Sequence, residues 1–380
     1  MSLQFITGNS GNGKTKYLFN RIVKEAKANP RDNYLVIVPE QFTMQTQRQL
    51  VDLSENKAIM NIDVLSFKRL AYRVFDELGI TNLTVLEETG KNLVLRKLAA
   101  QEADKLGVIG RNLNRIGYIS EVKSLLSELV QYNISPEELG RYIASGRLSD
   151  TLSDKLKDVL VLYEAFEKFM QDKYITAEEI LNVLSNVAEE SAILRNSVIA
   201  FDEFTGFTPI QNQLIKKLFV ISKKIYVTLT IDCREDIFKS RGMQELFDMP
   251  KRTVKSLTEM AAFYGIEVEE PIILDKNYRL AENEELSFME QQLFRKRRCS
   301  FKKAPKHIHI DCLRDPKQEL TKIARRINEL VRNENLRYRD IAIVTGDVNI
   351  YAGYAREIFD KYNIPYFIDE IGRASCRERV

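Results

Sequence analysis

The chain lacks what would mark it as a membrane-spanning or disulfide-built protein. No apolar run approaches the roughly 20 residues that a bilayer span requires. The N-terminus enters a strand pattern at once, leaving no room for a signal peptide. Cysteine is sparse: Cys233, Cys299, Cys312 and Cys376 stand far apart with no C-x-x-C pair, so neither a disulfide framework nor a zinc site is suggested. Two histidines, His307 and His309, alternate along an expected strand with only Asp311 beside them, and read as strand-surface residues rather than metal ligands. Net charge is +3, which excludes a uniformly basic surface; any affinity for nucleic acid must come from local patches. No internal repeat or low-complexity tract occurs. The expected compartment is the cytoplasm, with no membrane partner.

What is present is an ordinary globular composition, 44% hydrophobic over 380 residues, enough for two or three domains. From residue 1 to 75 strands alternate with helices, the strands being short Val/Ile runs such as Tyr34–Val38. Runs with little alternation predict a parallel sheet covered on both faces. From 76 to 195 strand signals vanish and amphipathic helical patterns follow one another, among them Leu152–Gln171 with its stripe Leu156, Val159, Leu160, Tyr163, Phe166 and Met170. That stripe is read as core packing, and the whole stretch as a helical insertion. The sheet pattern resumes at Ser197–Phe201, Lys224–Ile231 and Val268–Leu274. Residues 307–370 then carry a further strand–helix–strand pattern, with strands expected at Ile308–Leu313, Asp340–Thr345 and from Pro365.

The stretch Gly8-Asn9-Ser10-Gly11-Asn12-Gly13-Lys14-Thr15 fits the phosphate-binding pattern G-x-x-x-x-G-K-[ST] without a mismatch. It joins a predicted strand to a predicted helix, which is the context the chemistry needs. Small residues let successive backbone N–H groups fold around a polyphosphate, and the helix points its positive end at the same anion. In this pattern Lys14 reaches the outer phosphates and the Thr15 hydroxyl ligates Mg²⁺. The competing reading is a strand–turn–helix corner with incidental glycines; the full match to the pattern between these flanks favours the phosphate loop over it. Four apolar residues then end in Asp202-Glu203. Strands often end in acids, but behind an intact phosphate loop the pair predicts a Mg²⁺-holding carboxylate in Asp202 and a general base in Glu203. Arg279, in Asn277-Tyr278-Arg279 after another apolar strand, is placed to contact a γ-phosphate; a solvated arginine there is the plainer alternative. The densest charge lies at Phe294–Lys306, with seven basic residues, two aromatics and no acid. Cations interleaved with rings suit a single-stranded nucleic acid, and a solvated linker fits the same residues equally well.

Together these segments resemble the N-terminal part of the AddB family (RexB in some lineages), the second subunit of a bacterial helicase–nuclease. The carrying segments are GNSGNGKT at 8–15, VPEQFTMQTQ at 38–47, DVLSFKRLAYRVF at 63–75 and VIAFDEFTGFTPIQ at 198–211. They continue with YVTLTID at 226–232, LDKNYR at 274–279, RYRDIAIVTGDVNIY at 337–351 and YNIPYFIDE at 362–370. The phosphate loop is generic, whereas PEQFT, SFKRLAYRVF and NIPYFID are far more specific to the family.

The resemblance implies a P-loop NTPase of superfamily 1 helicase type. A first RecA-like lobe would span 1–75 and 196–290, with a helical subdomain inserted at 76–195. A basic connector follows at 291–306, the start of a second RecA-like lobe at 307–370, and a non-native tail at 371–380. It implies a cofactor pair of ATP and Mg²⁺, held by the loop residues 8–15 with Thr15 and Asp202 on the metal, and Glu203 and Arg279 as catalytic groups. It also implies DNA (single strands and duplex ends) and an AddA-like helicase subunit as partners, in double-strand break repair by recombination. The family's nuclease domain and iron–sulfur cluster are expected only beyond this chain, and none of its cysteines reads as a cluster ligand. Hydrolysis by the chain alone is expected to be slow or absent. The alternative is an autonomous UvrD-like ATP-dependent DNA helicase. Such motors carry a glutamine-bearing segment ahead of the phosphate loop that reads adenine, and this chain shows no such segment before its first strand.

Overall fold

A computed structural model describes residues 1–81, 84–108, 116–146, 148–170, 174–176, 178–295 and 299–368. The chain divides into two compact units, residues 1–284 and 285–380, and each is considered by itself.

In the first unit β1 (Ser2–Gly8) leads to α1 (Lys14–Ala28), β2 (Tyr34–Ile37) to α2 (Thr43–Leu53), and β3 (Ile62–Leu65) to α3 (Phe67–Leu78). A short β4 (Val85–Leu86) precedes α4 (Glu88–Gln101), α5 (Ile116–Gln131), α6 (Pro136–Ala144) and α7 (Asp150–Met170). A matching β5 (Ile175–Thr176) follows, then α8 (Ile180–Val187). The sheet resumes with β6 (Val198–Phe201), α9 (Pro209–Ile221), β7 (Lys224–Thr230), α10 (Asp248–Phe263), β8 (Glu267–Val268) and β9 (Ile272–Leu274). The strand order is β3-β2-β6-β7-β1, with β8 and β9 both on the free side of β1, and each pairing is parallel. The expected α/β architecture with a parallel sheet is therefore present.

Strand side chains alternate between faces, and here both faces are dry. Leu35, Ile37, Ile199, Phe201, Ile225 and Val227 join one core with α3, α8, α9 and α10. Their neighbours Tyr34, Val36, Val198, Ala200 and Tyr226 join another with α1 and α2. Burial on both faces is why these strands read as continuous apolar runs. In the register Gly8 lies opposite Thr230 and Ile37 opposite Phe201, so the strands end along one carboxyl edge, where ligands of open parallel sheets bind.

The helical stretch has its own core of Leu95, Leu98, Leu126, Leu139, Leu162, Tyr163 and Phe166 from α4 to α7. Strand signals do not vanish entirely there: β4 and β5 pair over two residues each, too short for a period-2 pattern to register. The single strand expected over 268–274 is two. Pro271 carries no N–H to donate, and β1 pairs through Leu3 with β8 and through Ile6–Gly8 with β9.

The second unit contains α11 (Glu284–Gln292) from its second residue on, α12 (Pro316–Asn333) and α13 (Val348–Lys361). Leu320, Ala324 and Ile327 of α12 pack on Ala355, Ile358 and Phe359 of α13. None of the three strands expected at 308–313, 340–345 and 365–368 forms among the described residues. Those segments run without ladder partners, and Ile310, Val344 and Phe367 are 93%, 92% and 78% exposed. An apolar β-prone pattern creates a strand only where a neighbour takes up its N–H and C=O groups. His309 falls in one such segment and His307 directly before it, so their placement on a strand is corrected as well. The proposed tail 371–380, with Cys376, lies outside the described residues. No helix among them is long and apolar enough to cross a membrane.

Candidate functional site

The loop after β1 is shaped by backbone conformations open to glycine. Gly11 and Gly13 hold φ +89° and +79°, where a Cβ is strained. A Cβ on Gly11 would also stand 2.8 Å from that of Arg279, and one on Gly8 2.6 Å from the Leu274 carbonyl oxygen. Gly13 caps α1 without any side-chain hydrogen bond, and no acid sits in the first turn. The helix thus presents uncompensated N–H donors and its positive end to the loop.

Lys14 folds back over the loop, its Nζ donating to the carbonyls of Gly8 and Asn9, each at 3.0 Å. Burial pushes its pKa below the usual lysine value, against the opposing pull of Glu203 and Asp202. A cation withdrawn from water and satisfied by two neutral carbonyls is poised to exchange them for an anion.

Asp202 stands at the carboxyl end of β6, only 1% exposed. Its Oδ1 accepts the Thr228 hydroxyl, while Oδ2 is buried with no hydrogen-bond partner. Burial pushes this carboxyl above the usual aspartate range and the adjacent Glu203 adds to it, with the Thr228 bond opposing. Glu203 adopts a left-handed φ of +64°, an uncommon conformation for a residue with a side chain. It brings Oε1 to 3.4 Å from the Thr15 hydroxyl, which donates to it.

The segment after β9 closes over the loop. Asn277 Nδ2 donates to the Ser10 carbonyl at 2.9 Å, the Tyr278 N–H to the Gly11 carbonyl at 3.0 Å, and Arg279 Nη1 to the Ser10 hydroxyl at 3.3 Å. From behind, Asn12 Nδ2 donates to the Leu274 carbonyl at 2.6 Å, and Asn9 Oδ1 accepts the Cys233 N–H at 3.0 Å.

The fold therefore brings Ser10, Gly11, Gly13, Lys14, Thr15, Asp202, Glu203 and Arg279 to one cavity of about 720 Å³. Gly8, Asn9 and Asn12 do not line it; they fix the loop against β9 and the chain after β7. Sequence reasoning missed Asn277 and Tyr278 as site residues, although their signal stood beside Arg279. It also missed Thr228, whose hydroxyl is paired with Asp202 by the β6–β7 alignment alone. Tyr278 lines the same cavity and is 64% exposed.

A family model described as ADDB, N-terminal, matches residues 5–290. Similar proteins include one from Lachnoclostridium phytofermentans, named as the B subunit of an ATP-dependent helicase/deoxyribonuclease. It is 37% identical over 374 residues, which is 97% of this chain and 32% of that protein. The proteins of the same name from Clostridium tetani and Clostridioides difficile are 33% and 34% identical, again over 97% of this chain and 32% of their own length. The chain thus spans about a third of the length of these relatives.

Proposed function

This chain belongs to the AddB family through its N-terminal region, and from that premise we propose that it binds a Mg²⁺–nucleoside triphosphate on the loop 8–15. In this reading the first unit is a P-loop, RecA-like lobe of a DNA-binding, helicase-like subunit. That subunit acts with a second, AddA-like helicase subunit in a helicase–nuclease for double-strand break repair. The observation that carries the nucleotide site is the convergence of Lys14, Thr15, Asp202, Glu203 and Arg279 on one cavity at the carboxyl edge of the sheet.

The donor set suits the group. Backbone N–H groups from Gly11 to Thr15 and the α1 end supply the phosphate cradle. Lys14 gives up the Gly8 and Asn9 carbonyls for phosphate oxygens. Thr15 and the unpartnered Oδ2 of Asp202 are hard oxygen donors for Mg²⁺. When bound, the metal neutralises charge on the phosphates. In this reading Glu203 orients a water and accepts its proton, and Arg279 steadies charge at the outer phosphate. The exposed Tyr278 ring, beside Gly13, offers the base a stacking face.

The test is a fluorescence titration of the chain with a labelled ATP, with and without Mg²⁺, comparing GTP and the Lys14→Ala variant. Saturable, Mg²⁺-dependent binding lost in the variant is the expected result. Equal binding by the variant, or none by the folded wild type, removes the proposal.

A further inference from the structure

Shape alone would let a valine stand in place of Thr228. On β7 its neighbours Val227 and Leu229 face one core, and Thr228 lies on the other face with Tyr226, where it is 3% exposed. Valine has the same branching without a hydroxyl to satisfy, and a buried hydroxyl costs free energy unless it is bonded. This one donates to Oδ1 of Asp202. Register makes the pairing: Phe201 lies opposite Val227, and the next residues along are Asp202 and Thr228.

We propose that this bond decides which divalent cation the site accepts. With Oδ1 held by Thr228, Asp202 offers a cation Oδ2 alone, and this favours Mg²⁺ over Ca²⁺. The inference rests on the reading of the loop 8–15 as a Mg²⁺–nucleotide site, and it adds to that site a residue that sets ion preference.

The two oxygens of this carboxylate are unequal. Asp202 is 1% exposed, its Oδ2 is buried without a hydrogen-bond partner, and the residue lines the cavity with Lys14 and Thr15. Turning both oxygens toward an ion would break the Thr228 bond and leave that hydroxyl unpaired in the core. Mg²⁺ is small, demands near-octahedral geometry and keeps several waters, whereas the larger Ca²⁺ readily takes both oxygens of one carboxylate. A carboxylate pinned to single-oxygen use suits the smaller ion and denies the larger one its two-oxygen grip. The plainer role, in which the hydroxyl only satisfies a buried acid, would act on both ions alike.

The test is a titration of the full chain with a labelled ATP at saturating Mg²⁺, at saturating Ca²⁺, and with metal chelated. The wild type is expected to bind ATP more tightly with Mg²⁺ than with Ca²⁺. Thr228→Val is expected to weaken binding with Mg²⁺ about tenfold, as when a group that orients a metal-binding residue is removed, and to leave binding with Ca²⁺ and without metal within about threefold. Thr228→Ser keeps the hydroxyl and is expected to retain the preference; Thr228→Ala is expected to repeat the valine result should that variant fail to fold. A wild type with no preference for Mg²⁺ overturns the proposal before any variant is made. Equal weakening with both ions, or an unchanged preference in the variants without a hydroxyl, overturns it too and reduces Thr228 to a support of the fold. In those cases loss of binding in Lys14→Ala leaves the nucleotide reading standing, whereas a folded wild type that binds ATP with neither ion overturns both.

Discussion

Asp202 is a single side chain on which fold and proposed chemistry make opposed demands. Its carboxyl is buried and its pKa raised, so between the ordinary aspartate value of about 3.9 and its own the folded chain holds more protons than the unfolded one. Stability therefore falls as pH rises through that window and stays lower above it. The melting temperature of the wild type, measured without Mg²⁺, is expected to drop relative to Asp202→Asn as pH climbs above about 4; parallel curves would remove the claim. The same variant is expected to lose the Mg²⁺ dependence of nucleotide binding. Asn277 bears on the site differently, since it ties the loop to the chain after β9: Nδ2 donates to the Ser10 carbonyl and Oδ1 accepts the Leu280 N–H at 3.0 Å. Asn277→Ala is expected to weaken nucleotide binding about tenfold, the worth of one or two hydrogen bonds, with little change in melting; an unchanged titration would show that the loop holds itself. Lys14 and Thr15 were legible in the sequence because a phosphate loop is a local motif. Asn277 and Thr228 were not, because each matters through a partner far away in the chain.

Some elements carry their signals locally, and others depend on neighbours. The helix α9 carries a complete capping box, the Thr208 hydroxyl accepting the Gln211 N–H while the Gln211 side chain accepts the Thr208 N–H. It then buries Ile210, Leu214, Ile215, Leu218 and Phe219 on the sheet. Thr208→Ala is expected to cost about 1 kcal/mol and Leu218→Ala about 2–5 kcal/mol, both readable in urea denaturation; reversal of that order would mean the cap governs this helix more than its packing. Parallel strands were visible as Val/Ile runs because both faces are buried. The segments 308–313 and 340–345 carry a like pattern and form no strand, since composition cannot say whether a partner strand lies alongside.

At the scale of the whole molecule, every residue lining the proposed nucleotide cavity lies within 1–284, which has its own cores. A chain of residues 1–284 is accordingly expected to fold and to bind nucleotide within about threefold of the full chain, by the same titration. Loss of binding in a folded 1–284 piece would mean that the second unit contributes to the site. By itself the sequence determined the loop motif at 8–15, the parallel α/β class, the helical stretch between β3 and β6, and the acid pair after β6. All of these are written in spacings of a few residues, where backbone geometry and side-chain period act directly. Only the tertiary structure decided that Asn277 to Arg279 close over the loop and that Thr228 holds Asp202. Those are contacts between segments distant in the chain, and a linear pattern carries no term for the distance between them in space.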